Sequence, residues 1–207
     1  MVGTGLRLAA LAAALLAFAA LALLVARTLA RGRATYLAAA SGSPARGVAY
    51  AFGAGMLPGA KESARDHRAT YLTGVAYHLG VFVGLATFVA AVSGQEFPAP
   101  ARIPVLVLLA AGCAAGLVLA GRRATSATLR ALSVPDDYLA NLLTDLFVAA
   151  ALAAAIAPAA TPLFLAVSIP FFLYLPLGKV RHCVFFFVSR TFFGAFYGRR
   201  NVFPPGH

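Results

Sequence analysis

Three ionisable side chains lie within long apolar segments of the sequence: His78, His182 and Asp145. An ionisable group inside a membrane-spanning segment is costly and usually serves a function. Neutral imidazole is a ligand for haem iron, and two histidines on facing helices can hold one haem b between them. A buried carboxyl group can carry a proton. The sequence therefore offers His78 and His182 as candidate iron ligands, and Asp145 as a candidate proton-transfer group.

The composition indicates that these side chains lie in a membrane. Of the 207 residues, 61% are hydrophobic and only 11% are charged, with a mean hydropathy of +0.86. A soluble domain has about 25% charged residues, so this chain cannot cover a water-exposed surface. Its net charge of +11 is therefore a guide to membrane orientation and does not indicate nucleic-acid binding. Cys113 and Cys183 are too few for a disulfide framework or a tetrahedral metal site.

Five apolar segments are long enough to cross a hydrocarbon core of about 30 Å as helices. The first has the composition of a secretory signal, but its apolar run exceeds an h-region, so we interpret it as a retained helix. The predicted fold is an all-α membrane protein, a bundle of five transmembrane helices in a single domain. The predicted helices cover 6–29, 69–93, 103–120, 138–157 and 162–188, leaving a cytoplasmic loop over 31–68 and a cytoplasmic or interfacial tail over 189–207.

The positive charges give this bundle an orientation. With five spans, all of the 17 Lys and Arg residues except Arg7 and Arg102 fall on one side of the membrane. Loops rich in Lys and Arg stay in the cytoplasm. The sequence therefore predicts an N-terminus outside and a C-terminus inside, in the plasma (inner) membrane of a prokaryote.

The two central histidines are predicted to lie at similar depths. His78 follows Arg68 by ten residues, about 15 Å of helix, and His182 precedes Arg190 by eight residues, about 12 Å. Two imidazoles at one depth on different helices suit a six-coordinate haem b. The alternative is that each histidine forms a hydrogen bond to a hydroxyl or carbonyl group on a neighbouring helix.

Residues next to the histidines also fit a haem. Gly74 lies one turn before His78 and leaves room for a flat macrocycle or a close helix. Lys179 and Arg181 flank His182 and provide cations for the haem propionates. These three residues are the predicted cofactor-binding residues.

Two stretches around the histidines carry a family resemblance. They are AYHLGVFVG over 76–84 and LPLGKVRH over 175–182. At these stretches the chain resembles the membrane cytochrome b subunit of respiratory nitrate reductase, the gamma subunit, and its relatives in heterodisulfide reductase and sulfite-reductase-associated complexes. The similarity is to the haem motifs of helices two and five of that family. The resemblance implies that His78 and His182 ligate the haem nearer the cytoplasm, which passes electrons to an iron–sulfur subunit. It also implies menaquinone or ubiquinone as the exchangeable substrate.

The chain departs from this family at the outer haem. The positions that correspond to its second pair of histidines are Phe88 and Phe164, which cannot bind iron. The resemblance therefore implies one haem b, with the outer site filled by apolar packing. A second haem would need His67 and, as its partner, the terminal His207; this di-haem form stays an alternative. Otherwise His67 is an interfacial residue that contacts a partner subunit, a propionate or a quinone carbonyl.

Asp145 admits two interpretations. Asp137, Asn141 and Asp145 are spaced four residues apart, which predicts a polar stripe on one face of helix four. In the first interpretation, Asp145 pairs with a Lys or Arg on a neighbouring helix. In the second, it relays protons for quinone chemistry.

These features together predict a haem b-containing, quinone-reactive anchor subunit of a multisubunit respiratory oxidoreductase. It would transfer electrons without catalytic residues of its own, and its iron–sulfur centres would belong to partner subunits, because the chain lacks a cluster-binding Cys motif. The alternative is a haem-free structural anchor or small transporter. The lack of visible internal repeats argues against a transporter.

Overall fold

The computed structural model describes residues 3–31, 38–60, 64 and 66–204. The chain divides into two compact units. Unit 1 contains Met1–Ala20 and Ala69–Val180, and unit 2 contains Leu21–Arg68 and Arg181–His207.

The secondary structure of the described residues is helical, with no strand. The α-helices among them are α1 (Thr4–Ala30), α2 (Pro44–Phe52), α3 (Arg68–Ser93), α4 (Ala99–Thr125), α5 (Ala127–Leu132), α6 (Pro135–Ile156), α7 (Thr161–Tyr174) and α8 (His182–Arg199). Short 3-10 turns flank several of them. The prediction of an all-α fold is confirmed for this part of the chain.

Four helices, α1, α3, α4 and α6, are long and apolar enough to cross a membrane. Each coincides with one of the first four predicted spans. A fifth crossing requires Pro158–Tyr174 and Lys179–Arg199 to act together as one broken span. The described chain therefore has four candidate spans, or five if this pair counts as one.

The predicted fifth helix over 162–188 is interrupted. The helix α7 ends at Tyr174, and α8 begins at His182. Pro176 has no N–H with which to continue the helical ladder, and the Gly178 N–H instead closes a turn on the Tyr174 carbonyl at 3.0 Å. A side chain at Gly178 would collide with the Tyr174 ring. His182 therefore begins a helix, whereas the sequence pattern placed it inside one.

The predicted loop over 31–68 and the predicted tail over 189–207 also contain helix. The loop includes α2, and α8 continues into the tail as far as Arg199. Within unit 2 these two helices pack with their backbones in contact, since a Cβ at Gly47 would collide with the Gly194 carbonyl oxygen. The small residues that punctuate the sequence here therefore make a helix–helix contact.

The core of unit 1 is aromatic. The Phe147 and Phe171 rings stack with their centroids 4.1 Å apart, and the Phe88 and Phe172 centroids are 4.6 Å apart. Phe88 also meets Phe164 edge to face at 6.4 Å. All five side chains are buried. Phe88 and Phe164, which the family resemblance aligns with outer haem ligands, are thus part of this packed core.

The helices α3 and α4 approach each other closely at Gly80 and Gly112, and this contact can be tested by substitution. A Cβ at Gly80 would come within 2.5 Å of the Gly112 Cα, so Gly80→Ala must shift backbone. We expect it to lower the free energy of unfolding, measured in mixed detergent micelles, by about 1–3 kcal/mol. The control is Gly74→Ala on the same helix, where a Cβ meets nothing within 4 Å. Equal losses in both variants would contradict the close approach.

Candidate functional site

His78 is exposed on α3, and a backbone hydrogen bond orients its ring. Its Nδ1 lies 2.7 Å from the carbonyl oxygen of Gly74, one turn earlier. Because a carbonyl oxygen can only accept, Nδ1 carries the proton, and in the neutral ring Nε2 carries the lone pair. Metal-ligating histidines are typically oriented by a hydrogen bond of this kind. In this tautomer of His78, Nε2 is the ring nitrogen that could bind a metal.

Gly74 contributes a backbone hydrogen bond to His78 in addition to the small side-chain volume that the sequence suggests. Its carbonyl group orients the His78 ring, and a Cβ on Gly74 would meet no atom within 4 Å. A methyl group added at Gly74 would therefore enter open space.

His182 is exposed at the first position of α8, in unit 2. It lines an open cleft of about 520 Å³ whose other lining residues are Thr28, Phe185, Phe186, Val188 and Ser189. The walls are mainly aromatic and aliphatic, with few polar groups, which is typical of sites for apolar ring systems. The chemistry of this cleft fits a macrocycle ligated by an imidazole.

Among the described residues, neither histidine belongs to a cluster of protein side chains that could hold a metal ion. His78 belongs to unit 1 and His182 to unit 2. In the described part of the chain, no group of three or more His, Cys, Asp or Glu side chains could hold a metal ion. A haem needs only axial ligands from the protein, because the porphyrin supplies four nitrogens of its own. In the described part of the chain, His78 and His182 therefore do not belong to a structural zinc site.

Two other predicted site residues lie just outside the helices. His67 is exposed in the turn before α3, and Arg181 is exposed in the turn before α8. His207, the partner that a second haem would need, lies outside the described residues. The predicted roles of His67 and Arg181 stay predictions.

Lys179 lies in an ion-pair network within unit 1. Its Nζ is 2.7 Å from Asp137 Oδ1, and Arg123 Nη1 is 3.5 Å from the same oxygen. Its backbone N–H donates to Asp136 Oδ2 at 3.0 Å, and the Tyr174 hydroxyl donates to Asp136 Oδ1. The two aspartates at the start of α6 therefore hold the turn that follows α7. A haem propionate would have to share Lys179 with Asp137.

Removal of the Asp136 carboxylate should loosen this turn. In Asp136→Ala the Tyr174 hydroxyl and the Lys179 N–H lose their acceptor, so we expect the free energy of unfolding to fall by about 1–3 kcal/mol. Chemical unfolding followed by circular dichroism measures the change. Glu96→Gln is the control, because its pair with Arg102 is exposed and should change stability by less than about 1 kcal/mol. A loss no larger than that of the control would contradict the role of Asp136.

Asp145 is the centre of a polar cluster between α3 and α6. The Tyr77 hydroxyl donates to Asp145 Oδ1 at 2.6 Å, and Asn141 Nδ2 donates to Asp145 Oδ2 at 2.7 Å. Both carboxylate oxygens thus bind neutral donors. Among the described residues, no Lys or Arg forms an ion pair with Asp145. This arrangement does not match the first interpretation, in which Asp145 pairs with a basic residue on a neighbouring helix.

Gly116 on α4 makes room for this cluster. A Cβ there would collide with Asp145 Oδ1 and lie 2.8 Å from Tyr77 Cε2. Asp145 is ten residues after Pro135, the first residue of α6, which is about 15 Å along the helix. Asp145 is thus a half-buried carboxyl group that lies well inside an apolar helix, with both of its oxygens hydrogen-bonded.

The sequence pattern identified only part of this cluster. Asn141 and Asp145 do lie together, but Asp137, the first residue of the predicted stripe, pairs with Lys179 instead. Tyr77 was missed because it comes from another helix, and spacing along one helix carries no information about contacts between helices. The only sequence signal was a polar hydroxyl next to His78 in an apolar segment.

The fold and these side chains define an all-helical, multi-pass membrane protein with ionisable groups inside its apolar helices. Comparisons of the chain with protein-family models, curated proteins and solved structures found no match. Any assignment of function therefore rests on the residues of this chain.

Proposed function

We propose that the chain is a haem b-containing, quinone-reactive anchor subunit of a multisubunit respiratory oxidoreductase. The observation that carries the proposal is the pair of histidines at apolar helices: His78 within α3, with its ring oriented through Nδ1 by a backbone carbonyl, and His182 at the first position of α8. In this proposal His78 and His182 ligate one haem b. The motif resemblance around both histidines supports the same assignment, with the N-terminus outside the inner membrane of a prokaryote.

When bound, the haem would supply one-electron transfer between the membrane quinone pool and an iron–sulfur partner on the cytoplasmic side. The residues of this chain position it. The Gly74 carbonyl orients the His78 ring, and the open cleft beside His182 offers the aromatic side chains Phe185 and Phe186 to the macrocycle. Arg181 and Lys179 provide cations for the propionates, with Lys179 shared with Asp137.

Quinone chemistry moves protons as well as electrons, and the Asp145 cluster supports this part of the proposal. Reduction of a quinone to a quinol takes up two protons, and a proton-carrying side chain within the membrane can deliver them. Asp145 is such a group, and Tyr77 and Asn141 hold its two oxygens in a defined orientation. His67, exposed before α3, is proposed as the residue that exchanges protons with water or contacts the quinone.

A reduced-minus-oxidised absorption spectrum of the purified protein, with haem quantified per chain, tests the proposal. We expect one haem b per chain. Two haems per chain would favour the di-haem alternative that uses His67. A well-folded protein without haem would overturn the proposal and favour a structural anchor or small transporter.

A further inference from the structure

A second cavity, of about 760 Å³, lies at the end of unit 1 where α1, α4 and α7 begin and α3 and α6 end. Its walls extend from Thr87 and Val105 within the bundle to Glu96 and Phe97 at the rim. Thr87 donates its hydroxyl hydrogen to the carbonyl of its own helix, so it does not make the inner part of the cavity polar. The inner walls are aliphatic, while charged side chains lie at the rim. The cavity therefore has the polarity of a site for an amphiphile.

The rim carries one positive charge without a counter-ion among the described residues. Arg102 Nη2 is 2.8 Å from Glu96 Oε2, so these two charges neutralise each other. Arg7 forms no ion pair with any residue that the structure describes, and its buried Nε has no hydrogen-bond partner. The Arg7 guanidinium lies beside Gly94, at the end of α3. A half-buried guanidinium in this position favours an anionic ligand.

The start of α7 adds to this positive potential. Thr161 and Pro162, in its first turn, line the same cavity, and no side chain caps this helix N-terminus. The Thr161 N–H donates to the Pro158 carbonyl and Pro162 has no N–H, so the contribution of this end is the helix dipole, which favours an anion. The helix end and Arg7 therefore favour the same sign of ligand charge.

We propose that this cavity binds one anionic phospholipid, with its phosphate on Arg7 and an acyl chain along the aliphatic walls. One phosphodiester charge matches the one uncompensated guanidinium, and arginine binds phosphate oxygens through charge-assisted hydrogen bonds. The depth of the cavity from Glu96 to Thr87 accommodates the first part of an acyl chain. This proposal uses none of the residues assigned to haem or proton transfer, so its test is independent of the test for haem.

Lipid titration of the full chain tests the proposal. The protein is purified in a neutral detergent, depleted of lipid and titrated with phosphatidylglycerol, and bound lipid is counted by native mass spectrometry. We expect one tightly bound phosphatidylglycerol per chain. Arg7→Gln should weaken binding at least about tenfold, because a charge-assisted contact is lost. The matched control is the double variant Glu96→Gln with Arg102→Gln, which removes the neutral pair, keeps the net charge and should bind within about twofold of wild type.

Competition on the wild-type protein gives a second test that needs no variant to fold. Phosphatidylcholine with the same acyl chains and a quinone analogue serve as competitors. Preferential retention of phosphatidylglycerol over both supports the proposal. Equal displacement by phosphatidylcholine, stronger binding of the quinone analogue, or unchanged binding in Arg7→Gln would overturn it.

Discussion

Replacement of either His78 or His182 by alanine is expected to abolish haem binding, with bound haem falling from one per chain to less than about a tenth of that value. A six-coordinate haem b has no protein ligands other than its two axial nitrogens, so each variant loses half of the coordination that the protein supplies. His78→Ala also removes the ring that the Gly74 carbonyl orients. The Soret absorbance per chain and the haem content measure the effect.

His67→Ala is the matched control for this experiment. It removes the same side chain from an exposed turn outside α3, and we expect its haem content to equal that of the wild type. Circular dichroism and gel filtration show whether each variant is folded. Restoration of the spectrum by added imidazole would identify the lost group as an iron ligand rather than a packing residue. Full haem content in either single variant would rule out ligation by that histidine.

Asp145→Asn is expected to lower quinone-linked turnover by about a hundredfold while leaving haem content unchanged. Proton transfer by a positioned side chain typically contributes a factor of this size, and an amide cannot carry the proton. The substitution keeps the shape of the side chain. In Asp145→Asn, a rotation of the Asn141 side-chain amide by 180° lets its oxygen accept a hydrogen bond from the amide at position 145. The Tyr77 hydroxyl still has the amide oxygen at position 145 as its acceptor. Turnover with a reduced quinol analogue, measured in proteoliposomes, gives the rate.

Asp145→Leu separates the proton role from a structural one. This variant leaves the Tyr77 hydroxyl and the Asn141 amide without their acceptor, so its free energy of unfolding should fall by about 1–3 kcal/mol. Asp145→Asn should unfold close to wild type. If turnover falls in Asp145→Leu but is unchanged in Asp145→Asn, the carboxyl group is structural and the proton proposal for Asp145 is wrong.

The spans were predictable where hydrophobicity alone decides the structure. The helices α1, α3, α4 and α6 coincide with predicted spans, because an apolar run of about 20 residues must satisfy its backbone hydrogen bonds internally in a bilayer. The same criterion was insufficient for the fifth span. The segment is apolar throughout, but Pro176 and the contact of Gly178 with Tyr174 interrupt the helix, and hydropathy does not register either effect.

For the candidate site too, some features follow from the sequence alone and others depend on how the helices pack. The sequence by itself determined the membrane character and the presence of His78, His182 and Asp145 in apolar segments, because residue type and local composition are properties of a single stretch of chain. Only the tertiary structure decided which groups meet. It brought Tyr77 to Asp145 and placed Arg7 beside a cavity, with no counter-ion among the described residues. Contacts between helices depend on how their faces pack and not on spacing within one helix.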